Sequence, residues 1–198
     1  MNKNKEPDTS FFVSGSSNII VENLSKSFFG TRVLNNINLE FCSGEIHGLV
    51  GQNGAGKSTL GKIIGGHYQL SSGNIYLNDQ KITKWSSKLA LDSGIAMIHQ
   101  ELALVPGMTV YENIFLGIEE NTFGVLNKKN YKLFEDLDKR IGFNLDPNKK
   151  IHDLRIADQQ KVEIVRALAR NANVIIMDEP TSSLTNDEVK KLHDLMIK

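Results

Sequence analysis

Apolar and polar side chains alternate along Ile37-Asn38-Leu39-Glu40-Phe41, the period-two pattern of a half-buried strand. Ile19-Ile20-Val21, Ile46 to Val50 (ending at Gly51), Ile75-Tyr76-Leu77 and Ile95-Ala96-Met97-Ile98 are further short runs of strand character. Lys57 to Gly65 reads as a helix that opens directly after a glycine-rich turn. A second helix is predicted from about Asp158 to Asn171, with Val162, Val165, Leu168 and Ala169 on one apolar face. Val174-Ile175-Ile176-Met177 is continuously apolar, as expected of a central parallel strand covered on both faces. Thr185-x-x-Glu188 is a capping box that opens a last helix, whose inner face carries Val189, Leu192, Leu195 and Met196. Strand, glycine loop, helix and later buried strand together predict an α/β fold with a largely parallel sheet.

Between Glu101 and His152 the texture changes to a charged, mostly helical one, with Leu133, Phe134 and Leu137 at helical spacing. Pro106-Gly107 and Asp146-Pro147 punctuate it. We expect a helical subdomain at about 101–157, inserted in a single domain over 18–198. Residues 1–17, rich in Lys, Asn, Ser and Gly, are expected to form a flexible tail.

Composition narrows the functional classes. The chain has 198 residues with 23 Lys+Arg against 23 Asp+Glu, and this neutrality argues against a dedicated nucleic-acid binder. No run approaches the roughly 20 apolar residues that cross a bilayer, and the first residues lack the apolar core of a secretory signal. Cys42 stands alone, which excludes an internal disulfide and fits a reducing compartment. The expectation is a soluble intracellular protein. No His/Cys set has metal-ligand spacing.

Two motifs carry chemistry. Gly51-Gln52-Asn53-Gly54-Ala55-Gly56-Lys57-Ser58, followed by Thr59, matches the phosphate-binding pattern G-x-x-x-x-G-K-[ST]. Glycines let backbone N–H groups turn inward around phosphate oxygens, and the helix that starts at Lys57 adds its positive dipole end. Lys57 is expected to reach the β- and γ-phosphates, and the Ser58 hydroxyl to ligate Mg²⁺. Val174-Ile-Ile-Met-Asp178-Glu179 is a hydrophobic strand ending in acids, which places carboxylates at the strand's C-terminal edge. Asp178 there would hold Mg²⁺ directly or through water, and Glu179 would orient or deprotonate the attacking water.

From Ile19 to Lys198 the chain resembles the ATP-binding subunit of ABC transporters. Ile98-His99-Gln100-Glu101 looks like the Q-loop of that family, and Asp178 to Thr185 looks like its Walker B exit and D-loop. Leu102 to Gly117 is similar to the segment after the Q-loop in the carbohydrate-importer group. The resemblance implies a P-loop NTPase fold: a RecA-like core, a small antiparallel β-subdomain and the inserted helical subdomain. It implies ATP hydrolysis with Mg²⁺, coupled to import of a monosaccharide such as ribose, galactose or xylose. Phe28 falls where the family stacks an aromatic ring on adenine, with Phe29 adjacent and able to do the same. Gln100 falls where it contacts Mg²⁺ and the attacking water. Implied partners are integral membrane permease subunits, a second ATPase domain and, indirectly, a solute-binding protein; nucleic acid is not among them. The implied location is peripheral, on the cytoplasmic side of the cell membrane.

Leu154-Arg155-Ile156-Ala157-Asp158 occupies the position of the family's signature loop, usually Leu-Ser-Gly-Gly-Gln, which grips ATP bound to the opposite subunit. Arg155 stands where the pattern has Ser, Ala157 where it has Gly, and Asp158 where it has Gln. Arg155 either pairs with the γ-phosphate or points to solvent. The family's switch histidine, some thirty residues past the D-loop, has no counterpart among His47, His67, His99, His152 and His193. The expectation is therefore a fragment, cut before its last sheet strands and weak in turnover. Two other classes fit the sequence less well. A soluble ABC-type ATPase acting on ribosomes or DNA usually carries longer insertions or a basic surface, and a GTPase needs Asn-Lys-x-Asp, which the chain lacks.

Overall fold

The elements follow one another as β1 (Ile19–Phe28), β2 (Thr31–Phe41), α1 (Lys57–Ile64), β3 (Ser72–Leu77), β4 (Gln80–Lys81), α2 (Ser87–Asp92) and β5 (Ile95–Ile98). Then come α3 (Val110–Phe115), β6 (Asn121–Thr122), β7 (Val125–Leu126), α4 (Lys128–Ile141), a 3-10 turn (Ile151–Asp153), α5 (Ile156–Ala169) and β8 (Val174–Met177). The computed structural model describes residues 17–99, 102–118, 121–122, 125–126, 128–178, 187 and 190. The expected tail (1–16), Gln100, Glu101, Glu179, the stretch from Pro180 to Thr185, the capping box and the apolar face of the last helix lie outside them. The described residues fall into two compact units, one of 17–97 with 173–178 and one drawn from 98–172.

In the first unit, β1 and β2 form a hairpin closed by Phe29-Gly30, with Phe28 facing Thr31. Both turn residues have positive φ (48° and 84°), the conformation that matches a two-residue turn to the strands' twist. β1 also pairs antiparallel with β3, and β3 with β4, giving the order β2-β1-β3-β4. β5 and β8 lie side by side as a second sheet. Ile19, Val21 and Leu24 of β1 are buried with Leu60, Ile63 and Ile64 of α1, Ile95 of β5, and Val174 and Ile176 of β8. Each such side chain contributes about 1.5–3 kcal/mol by leaving water. That core fixes α1, and with it the glycine loop that precedes it.

β1 and β2 run well beyond the short apolar runs that announce them, because pairing carries polar residues such as Ser25, Lys26 and Asn35 into the ladder. The predicted strand at Ile46–Val50 does not form: only Val50 is bridged, and it is 62% exposed. An apolar run becomes a strand only through a partner, and Ile46 to Leu49 have none among the described residues. β5 and β8 coincide with their predicted runs.

In the second unit, α3 opens with a capping box: Thr109 Oγ1 accepts from the Glu112 amide at 3.2 Å, and Glu112 Oε2 accepts from the Thr109 amide at 2.7 Å. Fully buried Asn113 closes the preceding loop, its Oδ1 accepting from the Val105 amide and its Nδ2 donating to the carbonyls of Val105 and Thr109. Tyr111, Phe115, Tyr131 and Phe134 stack as one aromatic cluster between α3 and α4. β6 and β7 make a small antiparallel hairpin in a stretch whose texture suggested helix. α5 begins two residues before the predicted Asp158. It ends at Ala169, with Arg170 as cap and Asn171 at φ 54°, the left-handed conformation that stops a helix.

Candidate nucleotide site

The loop from Gly51 to Gly56 is shaped by backbone geometry that its glycines permit. The Ala55 amide bonds back to the Gln52 carbonyl at 3.1 Å, and Gly54 and Gly56 have φ of 84° and 91°. At Gly56 there is a second constraint. A Cβ there would lie 2.6 Å from Leu34 Cδ2 and 3.2 Å from the Val33 carbonyl oxygen, so the loop is pressed against β2. The first α1 hydrogen bond runs from the Leu60 amide to the Gly56 carbonyl, at 2.9 Å. The amides of Lys57, Ser58 and Thr59 therefore precede the helix ladder at the positive end of its dipole. They border a cavity of about 380 Å³ lined by Val33, Asn53, Gly54, Ala55, Gly56, Lys57, Ser58 and Thr59. Ligand pockets commonly span about 300–1,000 Å³.

Lys57, expected to reach phosphate, folds back over its own loop. Its Nζ donates to the Gly51 carbonyl at 2.8 Å and to the Gln52 carbonyl at 3.1 Å. Ser58 Oγ donates to Asp178 Oδ1 at 2.8 Å, a bond spanning 120 positions of sequence. Asp178 follows β8 directly and is 9% exposed. A hydroxyl and a carboxylate side by side are hard oxygen donors, the set that suits Mg²⁺ beside phosphates. These residues fit a magnesium–triphosphate, and among the described residues Ser58 and Asp178 would hold the metal.

Phe28 sits at the end of β1, half-buried. Tyr68 meets it edge-on with ring centroids 5.3 Å apart, and Lys26 Nζ stands 4.7 Å from its ring centre. Phe29, in the turn, is fully exposed. Gln100 and Glu179 lie outside the described residues.

The 154–158 loop leads into α5, with Arg155 as its N-cap residue and no side-chain cap bond there. Arg155 pairs with the carboxylate three positions further on. Its side chain is 79% exposed, yet Nε and Nη2 donate to the Asp158 carboxylate at 3.0 and 3.4 Å. Buried Lys161 donates to the same carboxylate at 2.8 Å. Partial burial of Asp158 opposes its charge, but hydrogen bonds from Lys161 and Arg155 and their positive charges outweigh it. The carboxyl is held below its ordinary range. Gln159 Nε2 donates to the carbonyls of Ile151 and Leu154, fastening the loop to the helix.

Three residues that hold loops escaped the sequence reading. Asn113 offered only its place in Tyr111-Glu112-Asn113. Glu163, which accepts from the Ala103 amide, and Arg166, which donates to the Ala103 carbonyl, left a faint signal, a charged pair one helical turn apart beside an apolar face.

A family model described as ABC transporter matches residues 34–182. The chain is 45% identical over 183 residues to the "Arabinose import ATP-binding protein AraG" of Paraburkholderia xenovorans, an alignment covering 91% of this chain and 35% of that protein. It is 46% identical over 176 residues to the "Arabinose import ATP-binding protein AraG 1" of Burkholderia lata, covering 88% and 35%. The chain thus spans about a third of the length of these relatives. Among solved structures, a dimeric ATP-binding cassette in a post-hydrolysis state bound to ADP and Pi superimposes with a TM-score of 0.73. It shares 27% identity, with 89% of this chain and 80% of that one covered. A nucleotide-free cassette from an ABC transporter, 23% identical with a TM-score of 0.74, shares the fold. With the family model spanning most of the phosphate-loop unit and the helical unit alike, the chain belongs to the ABC transporter family.

Proposed function

We propose that this chain is the nucleotide-binding and ATP-hydrolysing part of a sugar importer. The observation that carries the reading is the Ser58–Asp178 hydrogen bond of 2.8 Å, which joins the phosphate loop's helix to the acidic end of β8. The arabinose-import relatives support a pentose or similar monosaccharide as cargo.

In this reading the amides of 54–59 take the β- and γ-phosphate oxygens of ATP, and Lys57 exchanges its two carbonyl partners for phosphate. Ser58 and Asp178 hold Mg²⁺, which when bound neutralises charge developing on the transferred phosphoryl group. Glu179 accepts a proton from, or orients, the water that attacks in line, and Gln100 senses that water. Phe28 supplies a face for adenine. Leu154, Arg155, Ile156, Ala157 and Asp158 meet the terminal phosphate of ATP held by a second cassette.

Partners would be permease subunits in the membrane, that second cassette and, through the permease, a solute-binding protein. Among the described residues no helix is long and apolar enough to cross a membrane. Peripheral attachment at the cytoplasmic face accords with that. Equilibrium binding of Mg–ATP to the purified chain tests the reading. Saturable binding that the Lys57→Ala variant loses supports it, and equal binding by both proteins overturns it.

A further inference from the structure

Asn53 and Gly54 are the two central residues of the turn that the Ala55 amide closes on the Gln52 carbonyl at 3.1 Å. Gly54 has φ 84°, the value that a type II turn requires of its third residue. Both residues are exposed, and both line the cavity of about 380 Å³ at the phosphate loop. A Cβ on Gly54 would meet nothing within 4 Å, so nothing crowds the loop at that point. Asn53-Gly54 is also the one Asn-Gly pair in the sequence. Glycine leaves the backbone nitrogen that follows the asparagine unshielded by a side chain. Its wide φ/ψ freedom lets the turn bring that nitrogen to the carboxamide carbon. Asn18, Asn38 and Asn78, in the same unit, differ on two counts. They precede Ile19, Leu39 and Asp79, and their Oδ1 atoms are engaged by the amides of Ser43, Asn23 and Asn18.

We propose that Asn53 is a self-modification site: its side chain condenses with the Gly54 amide, and the acid that results disables the cavity unless nucleotide already covers the turn. The Gly54 nitrogen attacks Asn53 Cγ. A bond forms between them, the Cγ–Nδ2 bond breaks, and ammonia leaves with the proton that the Gly54 amide gives up. The product is a cyclic imide, and water from solvent adds to one of its two carbonyl carbons. Opening at Cγ leaves an aspartate. Opening at the main-chain carbonyl carbon leaves an isoaspartate, in which the chain runs on through Cβ and Cγ. Either product places a carboxylate at position 53, against the phosphates that the cavity would take. The isoaspartate also lengthens the main chain by one carbon. Gly56, pressed against Leu34 and the Val33 carbonyl, leaves no room there to absorb the slack. The loss of phosphate binding rests on the nucleotide reading given above, whereas the chemistry at Asn53 does not. In that reading the Gly54 amide bonds a phosphate oxygen, which withholds the attacking nitrogen.

Peptide mapping by mass spectrometry tests this on the 198-residue chain, incubated at mildly alkaline pH with and without Mg²⁺ and a non-hydrolysable ATP analogue. Samples drawn over time are also freed of ligand and titrated with fresh analogue. In the chain without nucleotide, the Asn53 peptide should gain the mass of OH in place of NH₂, as two separable products, ahead of every other asparagine. The fraction of chain that binds with its original affinity should fall in step. The modified fraction should bind at least about tenfold more weakly, as one like-charge contact implies. With the analogue at about ten times its dissociation constant, conversion should slow about tenfold, the ratio of total to free chain. Asn53→Gln, whose longer side chain closes an imide far more slowly, should keep its initial binding capacity throughout, whatever its starting affinity. If that variant does not fold, protection of the unsubstituted chain by the analogue decides. Conversion at Asn53 no faster than at the other asparagines overturns the site. Conversion that leaves binding intact, or that proceeds unslowed under an analogue shown to bind, overturns its effect on the cavity. No binding by the fresh chain overturns the nucleotide reading instead, while the peptide map still scores Asn53.

Discussion

Ser58 Oγ and Asp178 Oδ1 are 2.8 Å apart, although 120 positions separate them in the chain. One is the second residue of α1 and the other the first after β8. The buried packing of Leu60, Ile63 and Ile64 with Val174 and Ile176 brings both to one place before any ligand binds. Preorganisation of this kind lowers the ordering cost of binding a metal and a triphosphate.

Asp178→Asn keeps the shape of that pair and removes the charge. We expect Mg²⁺-dependent ATP affinity to fall by about 10- to 100-fold, the worth of one charge-assisted contact, with little change in metal-free binding. Titration calorimetry with and without Mg²⁺ measures the difference. An equal loss in both conditions would show that Asp178 serves only the fold.

Among the described residues, Lys57 Nζ donates to the carbonyls of Gly51 and Gln52 and Lys57 is not part of the buried core, so Lys57→Ala should leave the core intact. Its thermal midpoint should stay close to that of the unsubstituted chain while ATP affinity falls at least about tenfold, as expected for a lost phosphate cation. Differential scanning fluorimetry with a nucleotide series reads both quantities.

Gly56 and Gly54 separate two costs of a Cβ. Both have positive φ, but at Gly54 a Cβ would meet nothing within 4 Å, whereas at Gly56 it would strike Leu34 at 2.6 Å. Gly54→Ala should cost about 1–2 kcal/mol for the left-handed backbone alone. Gly56→Ala adds the displacement of Leu34 and should cost about 2–4 kcal/mol in all. Urea unfolding of the two variants side by side provides the comparison. Equal losses would remove the claim that the loop is pressed against β2.

Much of this arrangement was legible in the sequence because it depends on local pattern. The phosphate loop declares itself by glycine spacing, α1 by the residues after it, and β8 by four apolar positions ending in an acid. What the pattern could not reveal depends on partners. Ile46–Val50 looks like a strand by composition, yet only Val50 is bridged among the described residues. Lys26 and Ser25, polar and unremarkable, lie in β1 because β2 and β3 pair with it. The Arg155–Asp158–Lys161 cluster and the bonds of Glu163 and Arg166 to Ala103 are side-chain geometries. A sequence shows their members without showing that they meet.

Phe28 pairs across the hairpin with Thr31, two positions from Val33, which lines the phosphate-loop cavity. Tyr68 and Lys26 fix its ring, whereas Phe29 is fully exposed. Phe28→Ala should weaken ATP binding by about 1–3 kcal/mol, the usual worth of stacking a base on an aromatic ring, and leave inorganic triphosphate binding unchanged. Phe29→Ala should alter neither. Competition binding with the two ligands distinguishes the rings, and a reversed result would transfer the adenine platform to Phe29.

The 154–158 loop yields a pH prediction whose sign follows from Asp158. Its carboxyl titrates below the ordinary value in the folded chain, since Lys161 and Arg155 outweigh the effect of burial. The unfolded state therefore takes up a proton first as acid is added. The stability contributed by this carboxylate is fully present above the usual carboxylate range and is lost as pH falls through the lowered folded value. Asp158→Asn removes that dependence and takes the carboxylate away from buried Lys161, so the variant should be less stable at pH 7, and the gap should close as pH falls through the lowered folded value. The same substitution removes the carboxylate to which the exposed Arg155 guanidinium donates. Urea midpoints for both proteins at half-unit pH steps follow the effect. A gap that stays constant across the acid range would mean that the carboxylate's charge contributes nothing to holding the loop on α5.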